Sequence, residues 1–121
     1  MTCFWDGLRK GLQITISNND FIDYLKQNNK VEEKSHILWN NIEFTPKQLQ
    51  ENHQHIVDFN LNAIHNGYDC SICDPFIILI CKLYRVNINH NFNGYLMKYT
   101  HNIENNYKTL EFKSNKGHFS F

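Results

Sequence analysis

What this chain lacks narrows its function before any motif is read. It has no apolar run near the roughly 18 residues that span a bilayer. The longest, Phe76-Ile77-Ile78-Leu79-Ile80-Cys81, has six residues and fits a buried element. No basic segment followed by an apolar core opens the chain, so no secretion signal is expected. The four cysteines, Cys3, Cys70, Cys73 and Cys81, are accordingly expected as reduced thiols inside a cell rather than as a disulfide framework. There is no excess charge either. Lys and Arg together number 12, as do Asp and Glu, which argues against nucleic-acid binding. Neutrality also limits charge-based solubility and favours a partner or a crowded assembly. Nothing resembles a phosphate loop, and the scattered carboxylates define no glycosidase pair.

What is present suits one folded unit. A chain of 121 residues supports one core and not two, so residues 1–121 read as a single domain. Nine Phe, six Tyr and two Trp can fill that core. Asparagine is unusually abundant with 18 copies, and isoleucine follows with 13. Apolar periodicity continues between the asparagines, so the bias reads as AT-rich coding rather than as disorder.

Residues 3–12 predict a helix, with Phe4, Leu8 and Leu12 on one face. Asn19 is expected to cap a second helix over 20–27, whose stripe is Phe21, Ile22 and Leu25. Residues 28–44 read as irregular apart from an Ile37-Leu38-Trp39 anchor. Thr45-Pro46-Lys47-Gln48 is the clearest local signal: a capping threonine, a proline at the first helical position and a glutamine that closes a capping box. The helix it starts is expected to reach residue 65, with Leu49, His53, Ile56, Phe59 or Asn60, and Ala63 or Ile64 inward, and to end at Asn66-Gly67. Asp74-Pro75 repeats the device and is expected to start a central, nearly all-apolar helix through residue 84. Val86, Ile88 and His90 alternate with Asn87 and Asn89, a half-buried strand. Asn93-Gly94 fits a hairpin turn, with residues 96–100 pairing back. Later strands are expected at 107–113 and 117–121, joined by Ser114-Asn115-Lys116-Gly117. Helices first and an antiparallel-leaning sheet after them give an α+β class, helices packed on a small, mostly antiparallel sheet.

Two residues at opposite ends of the chain carry the chemistry. Cys3 lies where a helix begins, and unpaired N–H groups and the helix dipole there favour a thiolate. His118 lies in an alternating segment whose Phe119 and Phe121 point one way while His118 and Ser120 point the other. A thiolate and an imidazole, with backbone N–H groups to hold an oxyanion, meet the requirements of acyl transfer. A buried cysteine and an edge-strand histidine would give the same pattern.

The run Thr2-Cys3-Phe4-Trp5-Asp6-Gly7-Leu8 resembles the nucleophile motif of the OTU (ovarian tumour) family of cysteine proteases, where Asp-Gly-Asn-Cys-Leu/Phe-Phe-x-x-Leu opens the catalytic helix. His65-Asn66-Gly67-Tyr68-Asp69-Cys70-Ser71 and the apolar stretch from Asp74 to Ile88 are similar to the family's middle block, a glycine turn leading into an apolar helix and then a strand. Gly117-His118-Phe119-Ser120 resembles its catalytic His-Tyr segment. Order and spacing agree over about the whole chain. The resemblance implies an OTU-like, papain-related cysteine protease fold in a reduced viral or protist member. It further implies Cys3 as nucleophile, His118 as general base and Ser120 as a weak orienter, with Asn115 a substitute from the preceding loop. The activity implied is that of a deubiquitinase, a thiol peptidase cleaving ubiquitin or ubiquitin-like modifiers from proteins, with ubiquitin as partner and no cofactor, metal, nucleic acid or membrane. The setting implied is intracellular, in the cytoplasm of the cell or of an infected host. Only Met1 and Thr2 precede Cys3, so the family's Asp-Gly-Asn loop is nearly absent. That departure implies either lost upstream residues or a catalytically inactive OTU-like protein-binding domain.

Other clusters read as structural. Cys70-x-x-Cys73 with Cys81 and His90 lacks the two tight pairs of a zinc motif, and Cys81 falls within an apolar helix. No strand pattern before Cys70 supports a thioredoxin-like site. His53 and His55 are two apart on a helix and do not share a face. His90 and His101 are expected at the surface or the core edge, and Asp6 beside the first-turn N–H groups, Arg9 or Lys10.

Overall fold

A computed structural model describes residues 2–115 and 117–121, Ser71 by its backbone alone. The expected turn at 114–117 includes Lys116, which lies outside the described residues. Two opening helices, α1 (Cys3–Leu12) and α2 (Asn18–Gln27), precede a short hairpin of β1 (Ile37–Trp39) and β2 (Ile42–Glu43). Helix α3 (Pro46–Asp58), a 3-10 turn (Leu61–His65) and α4 (Cys70–Tyr84) follow. Strands β3 (Asn87–Phe92), β4 (Tyr95–His101), β5 (Thr109–Asn115) and β6 (His118–Ser120) complete the chain. The six strands form one sheet in the order β2-β1-β4-β3-β5-β6. Neighbours are antiparallel except β3 and β5, which run parallel with Ile88 beside Leu110 and His90 beside Phe112. The class is therefore α+β with a largely antiparallel sheet. Among the described residues no helix is long and apolar enough to cross a membrane.

Local chemistry sets the helix boundaries, and three of them, together with one hairpin, differ from the sequence reading. Ser17, not Asn19, caps α2, its side chain accepting from the Asp20 N–H. The hairpin β1–β2 occupies the stretch read as irregular, turning through Asn40 and Asn41, both at positive φ. Asparagine tolerates that conformation because its short polar side chain satisfies the local backbone. The Thr45 capping box forms as read, with Thr45 Oγ1 accepting from Gln48 N and Gln48 Oε1 from Thr45 N. The helix stops at Asp58, however, because Phe59 turns extended to bury its ring and Asn60 caps the separate 3-10 turn. Finally, α4 begins one turn before Asp74-Pro75, at Cys70, so Pro75 lies inside the helix and Asp74 is no cap.

The helices cover one face of the sheet. Along β5, Leu110, Phe112 and Ser114 are buried while Thr109, Glu111, Lys113 and Asn115 are exposed. Helix α4 runs through the middle of the helical layer, with Phe76, Ile77, Ile80 and Cys81 fully buried. Trp5 lies within 6.1 Å, centroid to centroid, of the rings of Phe4, Phe21, Phe59 and Phe76. This aromatic cluster joins α1, α2, α4 and the segment just after α3, and supplies much of the apolar burial. Helix α1 reaches β6 through its glycines: a methyl at Gly7 would fall 2.9 Å from the Phe119 ring.

Candidate functional site

Three segments meet at the Cys3 thiol. Cys3 is the first residue of α1 and is half-buried. Its Sγ donates to the Gly117 carbonyl at 3.4 Å and accepts the Phe119 N–H at 3.2 Å. The third segment is the turn at Gly67-Tyr68, where Tyr68 N donates to the same Gly117 carbonyl at 2.8 Å. Gly67 is at φ +70, and a methyl there would fall 2.4 Å from the Gly117 oxygen and 3.8 Å from Cys3 Sγ. Glycine is therefore required on both counts: the left-handed backbone and the close approach of a second chain segment.

His118 is the residue between the two backbone groups that hold the thiol. Its side chain is exposed and, by strand alternation, leaves β6 on the face opposite Phe119, whose ring packs at 4.9 Å on Phe4 of α1. Among the described residues no hydrogen bond joins His118 to Cys3 or to Ser120. Ser120 shares the outward face and stands opposite Lys113 in the pairing with β5, whereas Asn115 stands directly opposite His118. Asn115, Lys113, His118 and Ser120 line one broad surface depression with the β3–β4 turn. Strand β6 is at the end of the sheet, so its outer edge is open to Cys3 and the Gly67 turn.

The neighbouring groups are structural supports of stated kinds. Asp6 accepts from Thr2 Oγ1 at 2.6 Å, Asn18 Nδ2 at 2.9 Å and Arg9 at 3.4 Å. Its partial burial would raise the carboxyl, but those three donors prevail and hold it below the usual range. Cys73 lies deep under the site, its Sγ 3.8 Å from the Gly67 carbonyl, and burial pushes its thiol up to about 12. Burial raises the Cys81 thiol too. Cys70 is exposed at the start of α4. Among the described residues no three His, Cys, Asp or Glu side chains are placed to hold a metal ion.

His90 departs from the expected surface or core-edge position. It is fully buried, its Nε2 lies 2.5 Å from Ser114 Oγ, and its ring meets Tyr68 edge-on at 4.7 Å. Burial lowers its imidazole to about 4, so it is neutral near neutral pH. The strand alternation through Ile88 already placed it on the inward face. Asp74, read from the sequence as a helix cap, is instead a half-buried group inside α4. Its carboxyl accepts from the Tyr68 hydroxyl at 2.7 Å, and burial raises it to about 6 despite that bond. His101 caps the end of α4, its Nε2 within 2.9 Å of the Cys81 carbonyl and 3.2 Å of the Val86 carbonyl. Compared with known proteins, the chain matches no family model, no curated protein and no solved structure.

Proposed function

We propose that the chain is a thiol-dependent peptidase with an OTU-like fold, acting on the C-terminal tail of ubiquitin or a ubiquitin-like modifier. One observation carries this reading: the Cys3 sulfur, at the start of a helix, is held by the two backbone groups that flank His118. His118 is thus the direct chain neighbour of both groups that hold the thiol. Hydrogen bonds between catalytic groups commonly tighten only when substrate binds.

In the proposed reaction His118 takes the thiol proton and Cys3 Sγ attacks the carbonyl carbon of the scissile amide. The oxyanion is held by N–H groups of the first turn of α1, which have no partner within the helix. The C–N bond then breaks, and His118 returns its proton to the leaving amine. Water, deprotonated by His118, attacks the thioester carbonyl and releases the acid and the thiol. Asn115, across the strand pair from His118, orients the imidazole better than Ser120, whose position opposes Lys113. The cytoplasm of the cell or of an infected host, where ubiquitin conjugates occur, is the setting that belongs to this reading.

A second reading, the catalytically inactive protein-binding domain, draws on a different observation. The Cys3 S–H is already spent on the Gly117 carbonyl, and no hydrogen bond joins it to His118. Ubiquitin with a thiol-reactive C-terminal warhead separates the two. A covalent adduct that persists in Cys70→Ala and vanishes in Cys3→Ala and His118→Ala establishes the peptidase reading. No adduct from the wild type removes it, and ubiquitin-induced resonance shifts without an adduct leave the binding domain.

A further inference from the structure

A pair of thiols apart from Cys3 opens helix α4. Cys70 is the first residue of the helix and is exposed, while Cys73, one turn on, is buried. The Cys73 sulfur is directed back toward the helix start. It accepts the Asp69 N–H at 3.4 Å and donates to the Gly67 carbonyl at 3.8 Å. Asp69 adjoins Cys70, so the buried sulfur sits over the turn that carries the exposed one.

The backbone of that turn suits a disulfide. By helix geometry, Cα atoms three residues apart are about 5 Å from one another, within the range of about 4.4–6.8 Å that a disulfide bridges. Their Cβ atoms, about 5–6 Å apart on a regular helix, must close to about 3.5–4.5 Å. The Asp69 carbonyl accepts from Ile72 N at 3.1 Å and from Cys73 N at 2.7 Å, so α4 opens with 3-10 character. Such winding eclipses side chains three apart. Cys3 is a poorer partner for Cys73, because its sulfur is already engaged by Gly117 and Phe119.

We propose that Cys70 and Cys73 are a reversible thiol–disulfide couple whose oxidation loosens the Gly67-Tyr68 turn. The oxidant is a small-molecule disulfide such as oxidised glutathione. The Cys70 thiol gives its proton to solvent, and the thiolate attacks one glutathione sulfur and expels the first glutathione thiolate. Cys73 then gives up its proton and attacks the Cys70 sulfur, expelling the second. Each cysteine loses one electron, and the two glutathiones take up both electrons and both protons. In the disulfide Cys73 has no S–H left for the Gly67 carbonyl, and its sulfur leaves the Asp69 N–H as it turns to Cys70. Both contacts brace the turn whose Tyr68 N–H holds the Gly117 carbonyl at 2.8 Å. A bond that requires the first turn to tighten is readily reduced, the behaviour of labile rather than structural disulfides. The proposal does not depend on catalysis at Cys3.

The test incubates the intact protein with mixtures of reduced and oxidised glutathione, traps the remaining thiols by alkylation and maps the linkages by peptide mass spectrometry. The expected product is a Cys70–Cys73 disulfide, formed with the native circular dichroism retained and reversed by dithiothreitol. Cys73→Ala should stop at a glutathione adduct on Cys70. Cys70→Ala, at an exposed position, should leave Cys73 reduced, and it decides alone if Cys73→Ala does not fold. Hydrogen exchange at the Tyr68 amide should be about threefold faster or more in the oxidised protein. The proposal is overturned by no Cys70–Cys73 disulfide in oxidised glutathione, by one that forms only in urea, by a bridge to Cys3 in its place, or by an unchanged Tyr68 amide.

Discussion

The Phe119 backbone N–H donates to the Cys3 sulfur across 3.2 Å, so the first turn of the opening helix is tied to the closing strand. The Gly117 carbonyl reinforces the tie, taking the Cys3 thiol and the Tyr68 N–H together. Two segments distant in sequence, the start of α1 and the Gly67-Tyr68 turn, therefore depend on the short stretch from Gly117 to Phe119.

Gly67→Ala should be among the most damaging single changes. The added methyl would fall 2.4 Å from the Gly117 oxygen at a backbone φ of +70. Because that contact is with backbone, the β6 end must move. Urea denaturation should show a loss of about 2–4 kcal/mol, with the Cys3 environment disturbed as well.

Thiol labelling should separate the four cysteines. Cys73 and Cys81 are buried, and burial raises both thiols, Cys73 to about 12. Iodoacetamide on the native protein should therefore modify only Cys3 and Cys70, the other two reacting after unfolding. Under the peptidase reading Cys3 outpaces the more exposed Cys70. The reverse order, read by mass spectrometry, counts against that reading.

Buried His90 and half-buried Asp74 should give opposing pH dependences of stability. Asp74 is raised from 3.8 to about 6, so the native state binds its proton more tightly. Its contribution is fully present below about pH 4 and is lost as pH rises through 6. His90 is lowered from 6.5 to about 4, so its contribution is present above pH 6.5 and is lost as pH falls through 4. Displacements of this size correspond to about 3 kcal/mol each, and over pH 4 to 6.5 they oppose. Asp74→Asn should remove one side of the balance. Urea midpoints of that variant should fall on acidification more steeply than wild type, and an unchanged slope would contradict the assignment.

Thr45→Ala removes one half of a capping box whose other half is Gln48. A loss of about 1 kcal/mol is expected, read as a lower thermal midpoint without change in the pattern of thiol labelling. A change in Cys3 reactivity would mean that α3 and the Cys3 region are coupled more tightly than their packing indicates.

Much of the local structure follows from the sequence by itself. Phe4 and Leu8, four apart, set the inward face of α1; Thr45-Pro46-Lys47-Gln48 sets the start of α3; and Asn93-Gly94, both at positive φ, sets the β3–β4 turn. Each is decided by neighbours within a few residues, because caps, periodicity and φ preferences are short-range. Tertiary structure decided the rest. Phe59 breaks the helix after Asp58 to reach Trp5 and Phe76, since burying a large ring outweighs one more helical turn. His90 is buried and Asp74 half-buried against partners, Ser114 and Tyr68, that come from other segments. The meeting of Cys3 with Gly117 and Phe119 belongs to the same class. Spacing named the two ends, but strand alternation and the packing of α1 on Phe119 fixed which side of β6 each side chain occupies. Such relations depend on where distant segments pack, and no local pattern of residues carries them.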